Sequence, residues 1–148
     1  MKDTTIAVEY TLSVNKDRNF KSTQIKRSDN AVQFVKQLYS DDILIYETAY
    51  LILLNEGNFV VGWVKLSQGG ISSTIIDNQL ACIYMVKSLA KKAILVHNHP
   101  SGNTNPSPQD KQIAENLNKA FNLFNSCLLD SIILTEDSYY SFAENGLL

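Results

Sequence analysis

Apolar residues recur along this chain with two periods, one typical of strands and one typical of helices. Every second residue of 5–14 is apolar, which predicts a half-buried strand. Residues 15–27 are polar and predict a turn and a second, weaker strand. Ser28 or Asp29 can then cap a helix, because short polar side chains satisfy the free N–H groups of a first turn. The inward stripe of that helix is predicted to comprise Ala31, Phe34, Val35 and Leu38.

The middle of the chain predicts a hairpin, a further strand and a second helix. Residues 48–54 and 58–65 are largely apolar, and the turn residues Asn55-Glu-Gly57 between them favour a hairpin. A further strand is expected at 71–76, followed by a helix over 78–92. The inward face of this helix is predicted to comprise Leu80, Ile83, Val86 and Ala90.

The last third predicts a buried strand over 93–97, a polar loop, a helix from 108 to about 125, and strands at 128–134 and 139–142. The inward stripe of the helix is predicted to comprise Ile113, Leu117, Ala120, Phe121 and Phe124. Strands and helices that follow one another in this way, together with a hairpin, predict an α/β fold. We expect a mixed β-sheet packed between helices.

Length and composition predict one globular domain. The chain has 148 residues, of which 45% are hydrophobic and 19% charged, and this is enough to bury a core. We expect an N-terminal strand extension over 1–27 that packs on a domain formed by 28–148. Cys82 and Cys127 lie in apolar segments, so we expect buried thiols in a reducing compartment.

The charge of the chain narrows the choice of partners. A net charge of −2 and a pI of about 5.6 argue against strong autonomous nucleic-acid binding, since such a surface is basic. No apolar signal core follows Met1, and no apolar stretch reaches the length of a membrane span. We therefore expect a cytoplasmic protein that does not enter a membrane. The oligomeric state stays open.

Both histidines of the chain fall in the stretch 97–110, which also holds a carboxylate. His97 and His99 are two positions apart at the end of a predicted strand, so both imidazoles can point to the same side. Pro100 ends the strand, because proline cannot continue the hydrogen-bond ladder. Asp110 follows at the start of the next helix. Two nitrogens and one oxygen that converge, with a fourth position open, form the ligand set of a catalytic zinc site.

Each of these residues also has a purely structural interpretation. Two histidines two positions apart are common without a metal, and the letters His-Asn-His do not make an HNH nuclease. Ser107-Pro-Gln-Asp110 is a good helix start, with serine as N-cap, proline at the first helical position and aspartate at the third. Glu47, near the edge of a predicted strand, can simply be solvated.

The spacing of the whole stretch resembles the JAMM (MPN+) zinc metalloprotease motif. Ser107 follows His99 by eight positions and Asp110 follows Ser107 by three, as that motif requires. The letters His97-Asn-His-Pro-Ser-Gly102 and Pro106-Ser107 resemble the RadC-like branch in particular. The resemblance extends over roughly residues 28–148 and implies the MPN (cytidine-deaminase-like) fold.

The resemblance also implies an activity. It implies a hydrolase that holds one zinc ion through His97, His99 and Asp110 and cleaves a peptide or isopeptide amide by a metal-activated water. Glu47 matches the general base of this family, and Ser107 matches the hydroxyl that donates to the developing oxyanion. The expected partner is a protein or peptide substrate, which the sequence does not name.

One departure keeps an alternative open. The RadC-like branch has a histidine after the aspartate at position 130, and this chain has Ser131. Longer members also carry a helix-hairpin-helix region ahead of the domain, and we expect none here. The alternative is therefore a non-catalytic MPN-like binding module linked to DNA repair or mobile-element biology. A DNA-processing nuclease that keeps the zinc is a third reading, and the acidic pI argues against it.

Overall fold

Three helices and five strands occur in the part of the chain that the structure, a computed structural model, describes: residues 7–9, 11, 21–69 and 75–148. In chain order they are α1 (Ser28–Lys36), a 3-10 turn (Asp41–Leu44), β1 (Thr48–Leu54), β2 (Val60–Gln68), α2 (Asn78–Ser88), β3 (Lys92–Asn98), α3 (Pro108–Asn122), β4 (Cys127–Leu134) and β5 (Tyr139–Ser141).

The five strands form one mixed sheet in the order β2-β1-β3-β4-β5. The pair β3–β4 is parallel, and α3 provides the crossover that a parallel pair needs. The other three pairs are antiparallel. Because β1 runs against β3, the first residues of β1 lie beside the last residues of β3, and Ala49 pairs with His97. The chain just before β1 therefore lies beside the end of β3. The start of α3 lies there too, because Asp110 contacts His97.

Helices cover both faces of the sheet, as the mixed α/β prediction requires. On one face α2 and α3 pack over Leu51 and Leu95, and on the other face α1 packs over Ile52 and Ile94. All seven residues of β1 are buried, which explains why its sequence is a continuous apolar run rather than an alternating one. Full burial of each leucine or isoleucine side chain of this strand stabilises the fold by about 1.5–3 kcal/mol.

The predicted hairpin, the motif strand, the last helix and the two closing strands are confirmed. The hairpin is β1–β2, and its turn is completed by Asn58, which has a φ of 61°. The last helix begins at Pro108 with Ser107 as N-cap, as the sequence indicates. The helix predicted over 78–92 ends earlier, at Ser88, because Leu89 adopts a left-handed conformation with a φ of 58°.

The prediction for the start of α1 is wrong by one residue. The N-cap is Arg27, and the side chain of Asn30 accepts hydrogen bonds from the backbone N–H groups of Lys26 and Arg27. The hydroxyl of Ser28 is thus available for a tertiary contact. It donates to the buried carboxylate of Asp130 at 3.0 Å and so ties α1 to β4.

The inward face predicted for α2 is also wrong. Its buried residues are Ala81 and Met85, whereas Ile83 is 51% exposed and Val86 is 48% exposed. Residues 80–86 are all apolar, so the periodicity does not distinguish one face of this helix from another. In α3, Leu117 and Phe121 are buried as predicted, together with Ala114. Phe124 lies beyond the end of the helix and is 47% exposed.

Two strand predictions fall largely outside the described residues. Of 5–14 only 7–9 and 11 are described, and they have no regular secondary structure. Of 71–76 only Ile75 and Ile76 are described, and they belong to no strand. In the weaker strand predicted within 15–27, Gln24 forms an isolated bridge with Phe59. No helix in the described parts of the chain is long and apolar enough to cross a membrane.

Candidate functional site

Two histidines and two carboxylates meet at the edge of the sheet where β3 ends. His97 Nε2 lies 3.1 Å from Asp110 Oδ1 and 3.1 Å from His99 Nε2. His99 Nε2 lies 3.6 Å from Asp110 Oδ2. A carboxylate oxygen of Glu47 and a ring nitrogen of each histidine all lie within 4.8 Å of one another. These four residues are called the histidine–carboxylate cluster below.

The first turn of α3 fixes the carboxylate of Asp110. The backbone N–H of Ser107 donates to Asp110 Oδ2 at 2.7 Å, and Ser107 Oγ accepts from the backbone N–H of Asp110 at 3.1 Å. This reciprocal pair is a capping box, with proline pre-set at the first helical position. The predicted capping role of Ser107 and Asp110 therefore exists beside their position in the cluster.

Asp110 is held as a carboxylate. Burial on its own raises the pKa of Asp110, because the charged form loses its hydration. The hydrogen bond and charge of His97, together with hydrogen bonding to Ser107, outweigh burial and lower the pKa to about 2. Asp110 is thus ionised at neutral pH although only 8% of its surface is exposed.

The ring of His99 is oriented by the loop that follows it. His99 Nδ1 lies 2.7 Å from the carbonyl oxygen of Asn103, which can only accept, so Nδ1 carries the proton. In the neutral ring, Nε2 then presents a lone pair to the cluster. The loop turns at Gly102, whose φ of 80° suits glycine and whose N–H donates to the carbonyl of His99.

Glu47 lies one residue before β1, and its side chain is half-buried. Its carbonyl accepts a hydrogen bond from the N–H of Gly69, which fixes the backbone there. Burial raises the pKa of the Glu47 carboxyl, and the charges of His97 and His99 offset part of this rise. A carboxylate with a raised pKa is a stronger base than one in water.

Asn98 is a contributor to the site that the sequence reasoning missed. It is fully buried and points away from the histidines on either side of it. Its Oδ1 accepts from the N–H of Thr48 at 2.7 Å, and its Nδ2 donates to the carbonyls of Ile43 and Tyr46 at 2.7 and 2.8 Å. The amide therefore holds the segment that carries Glu47 against the end of β3. A polar residue inside a buried strand was the available signal, since buried amides are nearly always paired.

Ser131, the departure from the family pattern, lies on the strand next to His97, offset from it by two positions. It is 1% exposed and pairs with Leu95 across β3–β4, so its side chain is on the face of the sheet that carries His97. Among the described residues, Ser131 Oγ and His97 Nδ1 are the two buried side-chain polar atoms without a hydrogen-bond partner.

The donor set of the cluster fits a zinc ion. Zinc binds nitrogen and oxygen ligands at about 2.0–2.2 Å in a tetrahedron, whose ligand–ligand edges are then about 3.3–3.5 Å. His97 Nε2 lies 3.1 Å from both His99 Nε2 and Asp110 Oδ1, and His99 Nε2 lies 3.6 Å from the other oxygen of Asp110, so each separation is close to such an edge. In the described structure Asp110 pairs with no lysine or arginine. Beside His99 opens a cleft of about 190 Å³, which the turn 135–138 closes on the far side.

Comparison with known protein families gives a match over most of the chain. The family described as "RadC-like JAB domain" matches residues 25–147, which include the whole histidine–carboxylate cluster and every helix and strand described above. The match begins close to the start of α1 and ends one residue before the end of the chain.

Individual relatives carry the name "UPF0758 protein". One from Flavobacterium johnsoniae is 36% identical over 127 residues, which are 86% of this chain and 55% of the relative. One from Porphyromonas gingivalis is 41% identical over 103 residues, 69% of this chain and 45% of the relative. One from Streptococcus gordonii is 31% identical over 137 residues, 93% of this chain and 60% of the relative. The chain thus spans about half the length of these relatives.

Proposed function

The chain belongs to the RadC-like JAB domain family, and from this premise we propose that it is a zinc-dependent metallohydrolase of the JAMM type. The bond it cleaves is a peptide or isopeptide amide in a protein or peptide substrate. The observation that carries the proposal is the convergence of His97, His99 and Asp110, with Glu47 within reach of both histidines.

His97, His99 and Asp110 hold the zinc ion in this proposal. The separations of their donor atoms support it, as does the hydrogen bond that leaves His99 Nε2 unprotonated. Zinc bound there supplies Lewis acidity, which polarises a carbonyl oxygen and makes a water molecule more acidic. Three protein ligands also leave a position open, as catalytic rather than structural zinc sites do.

Glu47 acts as the general base. Its carboxylate takes a proton from the attacking water and later delivers it to the leaving amine nitrogen. The water oxygen forms a bond to the carbonyl carbon, the C–N bond breaks, and the products are a carboxylic acid and an amine. The position of Glu47 near both histidines and its raised pKa support this role.

Ser107 donates to the oxygen on which negative charge develops. Its Oγ already accepts from the N–H of Asp110, but a hydroxyl that accepts still has its own proton to donate. The capping role and the oxyanion role are therefore compatible, and removal of one such donor typically costs about 10²–10³ in rate.

A non-catalytic binding module is the second candidate, and Ser131 favours it. A buried serine, whose hydroxyl has no hydrogen-bond partner in the described parts of the chain, stands where the RadC-like branch has a histidine. If that histidine is needed for the chemistry, this chain keeps the fold and binds its partner without cleaving it.

The test is a search for amide hydrolysis with a matched pair of variants. Zinc-loaded protein is offered a library of peptides and isopeptides, and Glu47→Gln is compared with Glu56→Gln in the hairpin turn. We expect Glu47→Gln to keep zinc and lose about 10²–10⁴ in rate, equal to roughly 3–5.5 kcal/mol of barrier. Glu56→Gln should cleave like the wild type. Equal rates for both variants would remove Glu47 as the base, and no cleavage across the library would favour the binding module.

A further inference from the structure

Two polar atoms lie buried without a partner next to the histidine–carboxylate cluster. His97 Nδ1 and Ser131 Oγ make no hydrogen bond among the described residues. Buried polar groups are nearly always paired with protein or with ordered water, so each exception calls for an explanation. That both exceptions concern the same region of the sheet suggests a single explanation for the two.

The sheet register brings the two atoms into one layer. His97 pairs with Ile133 and Leu95 pairs with Ser131 across the parallel strands β3 and β4, so Ser131 is offset from His97 by two positions. Their side chains lie on the same face, beneath α3. Strand geometry puts their Cα atoms about 8 Å apart, from about 3.3 Å per residue and about 4.8 Å between strands. The two atoms form no direct hydrogen bond, so a contact between them needs an intervening group.

We propose that a buried water molecule bridges His97 Nδ1 and Ser131 Oγ, which makes Ser131 a positioning residue for His97. A buried water takes about 2–4 polar partners, and these two atoms supply the first two. A histidine that binds a metal almost always donates its other ring N–H to a carboxylate, a carbonyl or a water. His99 has such a partner in the carbonyl of Asn103, and the bridging water gives His97 the equivalent.

The bridge acts on the tautomer of His97. With the proton on Nε2, the ring donates to Asp110 Oδ1 at 3.1 Å and cannot bind a metal through that atom. With the proton on Nδ1, the ring donates to the water and presents the Nε2 lone pair to the cluster. Without a metal, the carboxylate of Asp110 and the lone pair of His99 Nε2 favour the first tautomer, and the water opposes them by stabilising the second at constant charge. Ser131 anchors the water. The effect on zinc rests on the proposed function, whereas the effect on the tautomer does not.

The tautomer is measured first, in the metal-free protein. The ring nitrogens of His97 are observed by ¹⁵N NMR at pH ~8, where an ordinary imidazole is neutral. The variants are Ser131→Ala, Ser131→Thr, which restores a hydroxyl, and Ser126→Ala, a buried serine at the opposite end of β4. We expect the fraction with a proton on Nδ1 to fall in Ser131→Ala, to recover in Ser131→Thr, and to stay at the wild-type level in Ser126→Ala. An unchanged tautomer in Ser131→Ala overturns the proposal, even if Ser131→Thr does not fold.

Zinc affinity gives the second readout. Loss of an outer partner of a ligating histidine typically weakens metal binding about 10–100-fold, and we expect the lower end for Ser131→Ala because the water itself can remain. Ser126→Ala should bind zinc like the wild type. If Ser131 has no such role, Ser131→Ala will bind zinc as tightly as the wild type does. That result overturns the proposal. A wild type that binds no zinc would end the proposed function, while the tautomer result would still decide the bridge.

Discussion

Replacement of Asp110 by alanine separates its two roles, because the residue caps α3 and also faces both histidines. The stability part can be estimated from the structure. Loss of a helix cap costs about 0.5–2 kcal/mol. The lowering of the Asp110 pKa from 3.8 to about 2 is equivalent to about 2 kcal/mol at 1.36 kcal/mol per pH unit. The pKa figure includes the hydrogen bonding to Ser107 as well as the larger contribution of His97, so the two figures are not added, and we expect a total loss of about 2 kcal/mol in the metal-free protein.

The way in which the unfolding free energy changes with pH follows from the lowered pKa of Asp110. A lowered folded-state pKa stabilises the protein above the unfolded value of 3.8, and this contribution is lost as the pH falls toward about 2. The difference in unfolding free energy between wild type and Asp110→Ala should therefore have its largest value at pH 7 and decrease between pH ~4 and ~2. Urea unfolding at several pH values measures it.

The effect of Asp110→Ala on zinc binding needs a control variant that loses a helix cap but keeps the histidine–carboxylate cluster. Asp77 also stabilises a helix start, as the N-cap of α2 rather than as a third helical residue, with its Oδ1 accepting from the N–H groups of Gln79 and Leu80 at 2.8 and 3.1 Å. Asp77→Ala should cost about 1 kcal/mol and bind zinc like the wild type. In the proposed zinc site Asp110→Ala removes one of three protein ligands, so elemental analysis after reconstitution should find little zinc. If the two variants retain zinc equally, Asp110 is a helix cap alone.

Two further predictions concern the support of the site and its partners. Asn98→Ala should destabilise the protein by about 2–4 kcal/mol in urea unfolding, because it leaves the Thr48 N–H and two carbonyls without their partner. A loss below 1 kcal/mol would show that water replaces the amide. The chain should bind DNA weakly and without sequence preference, since its net charge is −2, and nanomolar affinity in a titration at physiological salt would contradict this.

The stretch 97–110 could be predicted because its geometry is local. The alternation of a strand places His97 and His99 on one side, and the serine, proline and aspartate at the start of α3 specify a helix start without reference to the rest of the chain. The structure accordingly has β3, the loop and α3 close to the predicted bounds. The metal ligands themselves stay a prediction, which the separations of their donor atoms support.

The features that the sequence did not indicate depend on long-range packing. Residues 80–86 place apolar side chains on every side of α2, so its hydrophobic periodicity does not identify an inward face. The buried face is the one that packs against α3 and the sheet. The role of Asn98 depends on the antiparallel pairing of β1 with β3, which brings a segment about fifty positions away in sequence beside it. The local sequence of α2 does not identify α3 as its packing partner, and the local sequence around Asn98 does not identify Thr48 as its hydrogen-bond partner.

Support for the cluster comes from both faces of β3, and this division has a consequence for the chemistry. Asn98 lies on one face and holds the segment that carries Glu47, so it governs the distance between Glu47 and the histidines. His97 lies on the other face, which also carries Ser131, and in our proposal a water between the two orients the His97 ring. Because His97 and Asn98 are adjacent in β3, a displacement of the end of this strand changes the position of Glu47 and the orientation of the His97 ring together. The pairing of this strand with β1 and β4 on either side prevents such a displacement.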